Sequence, residues 1–185
     1  NSTLNASGEV TEKTVAEAEV LMRPSSHGDV VHSRPVAINF GTDATPKVVV
    51  FYGANDGMLR AVNGNRDGGA NIGDDNKGPG EELWSFIAPE SYGILSRLRA
   101  DAPLIKYPKL SVGDPKDYGF DGPVTAYKSS TSAWIFASMR RGGRMLYAFD
   151  VPDSNPANPT LKWRVGCPNQ VGDDTGCTSG SSGIG

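Results

Sequence analysis

The sequence predicts an all-β fold: a partial β-propeller of about two four-stranded antiparallel blades with a short helical insertion. Three observations predict it. Two strand-rich stretches repeat one order of anchors: a Pro-Val strand, an apolar strand, a Gly turn, a Leu-x-Ala strand, a loop and a Trp strand. Turn formers are abundant, with 23 Gly and 13 Pro in 185 residues, as many short strands require. Small Ala and large Trp recur at matching places, which suits sheets that must cover one another's faces.

The first copy is expected at residues 29–87, after a polar lead-in at 1–28. Within the lead-in, Val10 to Met22 carries a weak apolar periodicity that fits either a helix or an extended segment. Asp29 to Phe40 reads as a strand broken near Pro35. Lys47 to Tyr52 is a β-branched, apolar run, as expected of a strand covered on both faces. Asn55-Asp56-Gly57 is a tight-turn signal, and Met58 to Val62 is the returning strand. A Gly/Asn/Asp loop follows from Asn63 to Gly80, and Glu81 to Ile87 closes the set with Trp84.

Residues 88–120 break the rhythm and are expected to belong to neither blade. Pro89 to Arg99 predicts a short helix with Pro at its start and Ile94, Leu95 and Leu98 on one face. The second copy is expected at residues 121–166. Its strands are Asp121 to Tyr127, Thr131 to Met139, Arg144 to Asp150 and Leu161 to Val165, with a turn at Arg140 to Gly143. Residues 167–185 read as a Gly/Ser/Asp-rich loop leading to a next blade. Both ends look cut from something longer, and two blades alone would leave open faces and edges.

Composition excludes several function classes. The chain carries 18 Lys and Arg against 21 Asp and Glu, a net charge of −3, and no basic run marks a nucleic-acid face. No run of about 18 apolar residues suggests a transmembrane helix. Gly64 to Gly80 lacks the Gly-Lys-Ser/Thr ending of a phosphate loop. His32-Ser33 is the one local hint of Ser/His/Asp chemistry, and His32 sits in a strand-like segment where packing or hydrogen bonding suits it better. His27 reads as an exposed turn residue. The expectation is therefore a protein that is not an enzyme.

Two features invite a site. Asn63, Asn65, Asp67, Asn71 and Asp74 place oxygen side chains at alternating loop positions around Gly68, a spacing that suits calcium. Only Asp67 and Asp74 of the five carry charge, so affinity would be about millimolar. The alternative is a blade-connecting loop rich in turn formers. Cys167 and Cys177 flank a Gly/Asp/Thr-rich stretch and either close a small surface loop as a disulfide or stay two thiols.

The anchors taken together carry a resemblance. Gly28 to Val36 (GDVVHSRPV), Phe51 to Leu59 (FYGANDGML), Gly80 to Pro89 (GEELWSFIAP), Asp121 to Val124 (DGPV) and Gly143 to Val151 (GRMLYAFDV) resemble the C-terminal quinoprotein-like propeller of the PilY-type type IV pilus biogenesis and tip adhesin family. The resemblance spans residues 28 to 185. It implies a secreted bacterial protein at the outer membrane or pilus tip that supports pilus extension, twitching motility and attachment. It implies pilins, minor pilins and other pilus assembly proteins as partners, and a host or abiotic surface for the full-length protein. It also implies a calcium loop, although Asn63 stands where the family's loop begins with Asp. Two alternatives share the blade repeat. A quinoprotein dehydrogenase fragment of the PQQ type would gather its cofactor site from several blades, and no vicinal Cys-Cys pair marks one here. An outer-membrane assembly propeller lacks the Gly-Ala-Asn-Asp-Gly-Met-Leu set.

Overall fold

Two four-stranded antiparallel sheets, each a simple meander, form the body of the chain in a computed structural model. The structure describes residues 2–4, 10–12, 27–100, 102–106 and 113–167. Strands β1 (Ser2–Leu4) and β2 (Val10–Glu12) pair antiparallel by themselves. The part of the lead-in that left helix and strand open is thus strand at Val10–Glu12, and the rest of it lies outside the described residues.

The first sheet has the order β3 (Val36–Asn39), β4 (Val48–Gly53), β5 (Met58–Asn63) and β6 (Glu82–Ile87). The second has β7 (Val124–Lys128), β8 (Ser132–Ser138), β9 (Arg144–Pro152) and β10 (Thr160–Cys167) in sequence order across the sheet. Every predicted strand has its counterpart. The first is shorter than expected. Pro35 cannot donate to a ladder, and residues 29 to 35 run outside the sheet before β3 begins.

The tight turn between β4 and β5 forms as its residues demand. Gly57 adopts φ +88°, a conformation that costs a side chain-bearing residue. Asp56 Oδ1 accepts from Met58 N at 3.0 Å and fixes the start of β5.

The faces of β4 differ from the expectation of cover on both sides. Val49 and Phe51 are fully buried, while Val48, Val50 and Tyr52 are half-buried. The cause is that one face of this sheet meets the second sheet and the other has no sheet against it among the described residues. One apolar cluster joins both sheets, from Val49, Phe51, Leu59 and Ala61 to Ala133, Ile135, Ala137, Tyr147 and Phe149.

Between the sheets lies a short 3-10 turn, Pro89–Ser91, and helix α1, Tyr92–Ala100. The helix starts beside Pro89 as predicted, but it buries none of its residues completely. Arg97 holds the insertion instead. Its guanidinium donates to the carbonyls of Pro103, Pro115, Leu104 and Asp114 and to Asp117. The insertion is not wholly outside the blades, because Phe120 at its end is fully buried among both sheets.

Candidate interaction site: the seam between the sheets

The seam is built from rings supplied by alternate positions of facing strands. On the first sheet, register aligns Val36, Phe51, Ala61 and Trp84 on one face. Leu59 and Phe86 align one step along the same face. Phe86 meets Phe149 edge-on at 5.0 Å and Tyr147 at 5.3 Å, centroid to centroid. Trp84 touches Phe51 of its own sheet at 5.8 Å and Phe149 of the other at 5.9 Å. Phe120 packs on Phe86 and Tyr147. These distances and tilts are those at which aromatic pairs gain beyond plain burial. Trp84 therefore wedges between the sheets, as its recurrence suggested. Its Nε1 also donates to Pro156 O across the seam at 3.0 Å.

Polar links flank the rings. Glu90 accepts a hydrogen bond from the Tyr147 hydroxyl and pairs with Arg164 Nη1 at 2.7 Å. Burial, and then the bond to the Glu90 carboxylate, push the Tyr147 phenol well above its ordinary range. Where the first strands of the two sheets approach, Val124 N donates to Arg34 O at 3.1 Å. Beside it, His32 Nδ1 lies 2.9 Å from both oxygens of Asp121, whose side chain is fully buried. His32 is thus a hydrogen-bonded packing residue, and Ser33 Oγ is engaged by Gly53 N at 2.8 Å. Arg60 and Asp56 form a second buried pair, with Glu82 on Arg60 Nε at 3.1 Å. Burial alone would lower the Arg60 pKa, but the Asp56 contact outweighs it and raises the value.

The predicted oxygen loop folds around its asparagines. Asn63 is buried and its Nδ2 donates to the carbonyls of Ala70 and Lys77, while its Oδ1 accepts from Asn65 N. Asn65 Oδ1 accepts from Val48 N and its Nδ2 donates to Ala70 O. Asp67 and Asn71 are exposed, and Asp74 accepts from Asn155 of the second sheet's loop at 2.8 Å. Both asparagine oxygens therefore already hold backbone N–H groups. Among the described residues no group of three or more His, Cys, Asp or Glu side chains could hold a metal. Cys177 lies outside the described residues, and so does its pairing with Cys167.

Sequence reasoning found the Trp and Leu-x-Ala anchors and held Phe86 and Asp121 within its motifs without a role for either, and it missed Glu90 and Phe120. Glu90 follows a Pro at a helix start, a place where acids are common anyway. Only the stacking of the sheets brings it to Tyr147.

Curated relatives decide the comparison. The type IV pilus biogenesis factor PilY1 of Pseudomonas aeruginosa strain PAO1 is 28% identical over 169 residues, covering 78% of this chain. The chain is similar to PilY1. PilY1 of strain PAK matches to the same extent, and a PilY1 homolog from Xylella fastidiosa is 26% identical over 183 residues, covering 84% of this chain. The chain spans about an eighth of these PilY1 relatives, 12% and 13% of their lengths. No family model matches the chain. No solved structure matches it. Among the described residues no helix is long and apolar enough to cross a membrane.

Proposed function

We propose that this chain is a non-enzymatic scaffold module of a type IV pilus biogenesis protein, contributing two successive blades of a β-propeller. The seam carries this reading. Each sheet breaks register in its outer strand just before its Trp: Val62 pairs with Glu82 and Ala61 with Trp84, while Phe149 pairs with Leu161 and Ala148 with Trp163. A β-bulge repeated at one place marks two copies of a single design. In the first copy the Leu59 and Ala61 face meets the second sheet; in the second copy the Leu146 and Ala148 face points away from the first. Such head-to-tail stacking is how blades follow one another around a propeller. The similarity to PilY1 supports the pilus assignment, and with it a place at the cell surface, partners among pilins and pilus assembly proteins, and a role in twitching motility and attachment.

The test is genetic and biochemical. Deleting residues 29–167 from the full polypeptide in its piliated host should abolish surface pili and twitching while the polypeptide is still exported. Normal piliation would refute the reading. Reduction of a dye acceptor by the full polypeptide, given a quinone cofactor and an alcohol, would instead favour the dehydrogenase alternative.

Calcium in the loop of Asn63, Asn65, Asp67, Asn71 and Asp74 is a separate proposal with its own test. Titration calorimetry should give calcium heat that Asp67→Ala removes. No heat from the unaltered chain ends it.

A further inference from the structure

We infer that helix α1, the loop after it and the turn carrying Arg140 and Arg141 form one face that docks an acidic, apolar-bearing segment of another polypeptide. The face is separate from the seam and does not rest on the blade reading. Its charge is set in the sequence. Residues 92–118 together with 140–141 carry seven Lys and Arg against three Asp, in a chain whose net charge is −3. Asp117 is already paired with Arg97 at 2.9 Å, and Asp29 with Lys116. Among the described residues no carboxylate meets Arg99, Arg140 or Arg141.

Contacts join these residues into one surface. The Tyr118 ring holds two cations, with Lys116 Nζ 5.8 Å and the Arg141 guanidinium 5.4 Å from its centre. Arg141 Nη1 also donates to the Tyr118 hydroxyl at 3.3 Å. The turn is pinned to the end of the insertion, since Gly142 sits so close to Gly119 O that a Cβ would lie 1.8 Å from it. Arg140 there takes φ +48°, a conformation that costs a residue with a side chain and that gathers at binding sites. The matching turn of the first sheet gives its left-handed place to Gly57. Lys116 in turn borders a cleft of about 100 Å³ with Ile94, Leu98, Pro103 and Ile105. That is too small for a cofactor, whose pockets begin at about 300 Å³, and suits one aliphatic side chain. Around it Tyr92, Leu95, Leu98 and Leu104 are between 37% and 56% exposed. Tyr92, Leu95 and Leu98 recur every third residue and form one stripe of the helix. The partner's chemistry follows. Carboxylates answer the arginines, and an aliphatic side chain fills the cleft. Exposed leucines offer nothing to the hydroxyls of a glycan or to the phosphates of a nucleic acid, so a polypeptide is the better occupant.

Fluorescence anisotropy tests it on the full polypeptide with three labelled peptides: one alternating Glu and Leu, one with Lys for each Glu, and one with Ser for each Leu. The Glu-Leu peptide should bind, and its two relatives should not. Arg140→Gly combined with Arg141→Ser should weaken that binding about tenfold. Glycine is at ease at a positive φ, so this variant removes charge without straining the turn. Leu98→Ser should weaken binding as well, while Lys47→Ser, at the far end of β4, should leave it unchanged. No binding of the Glu-Leu peptide, equal binding of either relative, or an arginine variant that binds as before overturns the proposal. So does tighter binding to phosphatidylglycerol vesicles that the arginine variant loses, because the face would then be a membrane contact. Piliation lost on deletion of residues 29–167 is independent of each of these outcomes, so the scaffold reading and this one fail separately.

Discussion

At the scale of single residues, two polar groups hold positions that carry consequences. Asp121 is sealed from water, and both its oxygens rely on His32. Removing the imidazole leaves a buried carboxylate without its partner, which costs far more than an exposed pair is worth. His32→Ala should therefore lower unfolding free energy by about 2–3 kcal/mol in urea titration at neutral pH. A loss within error would mean that Asp121 finds another donor. Tyr147 gives a pH signature. The folded chain keeps the phenol protonated more strongly than the unfolded chain does. The contribution is complete below pH about 10 and declines as pH rises past it, because the unfolded chain then releases the proton first. Stability measured from pH 8 upward should fall more steeply in the unaltered protein than in Tyr147→Phe; equal slopes would contradict the assignment.

At the scale of elements, helix α1 and the loop after it are held by hydrogen bonds and not by burial. Helix α1 buries no residue completely, and Arg97 gathers four carbonyls around one guanidinium. Arg97→Met keeps the length and removes the donors. Hydrogen exchange should then quicken across residues 102–106 and 113–117 and stay unchanged in β5 and β9. Exchange that quickens equally in the sheets would show that the insertion is part of the global fold. The strands themselves were legible, because β-branched runs between Gly and Pro have few other options. Their order was legible too, from the repeated Leu-x-Ala and Trp anchors. Which way each Leu-x-Ala face points was not. Leu59 and Leu146 occupy the same place in their sheets, yet one faces the partner sheet and the other faces away from it. Alternation along a strand separates two faces without saying what covers either.

At the scale of the whole molecule, the seam makes the two sheets one cooperative unit. Phe51, Phe86, Phe120, Tyr147 and Phe149 come from both sheets and from the segment between them. Contacts so distant in sequence explain why the candidate site was only half legible: Trp84 announced itself by recurring, whereas Phe86 and Glu90 acquire their roles only once the second sheet arrives. The calcium loop shows the reverse case. In this fold Asn63 and Asn65 also bind backbone, a structural use that spacing alone does not distinguish from cation binding.

The stacking of the two sheets through their rings is the claim on which the blade reading and the scaffold function both depend. A double-mutant cycle on Phe86→Leu and Phe149→Leu measures it directly. The edge-on pair at 5.0 Å predicts a coupling of about 0.5–1.5 kcal/mol in denaturant unfolding. Strict additivity of the two substitutions would mean that the rings do not meet, and that the sheets are not stacked as described.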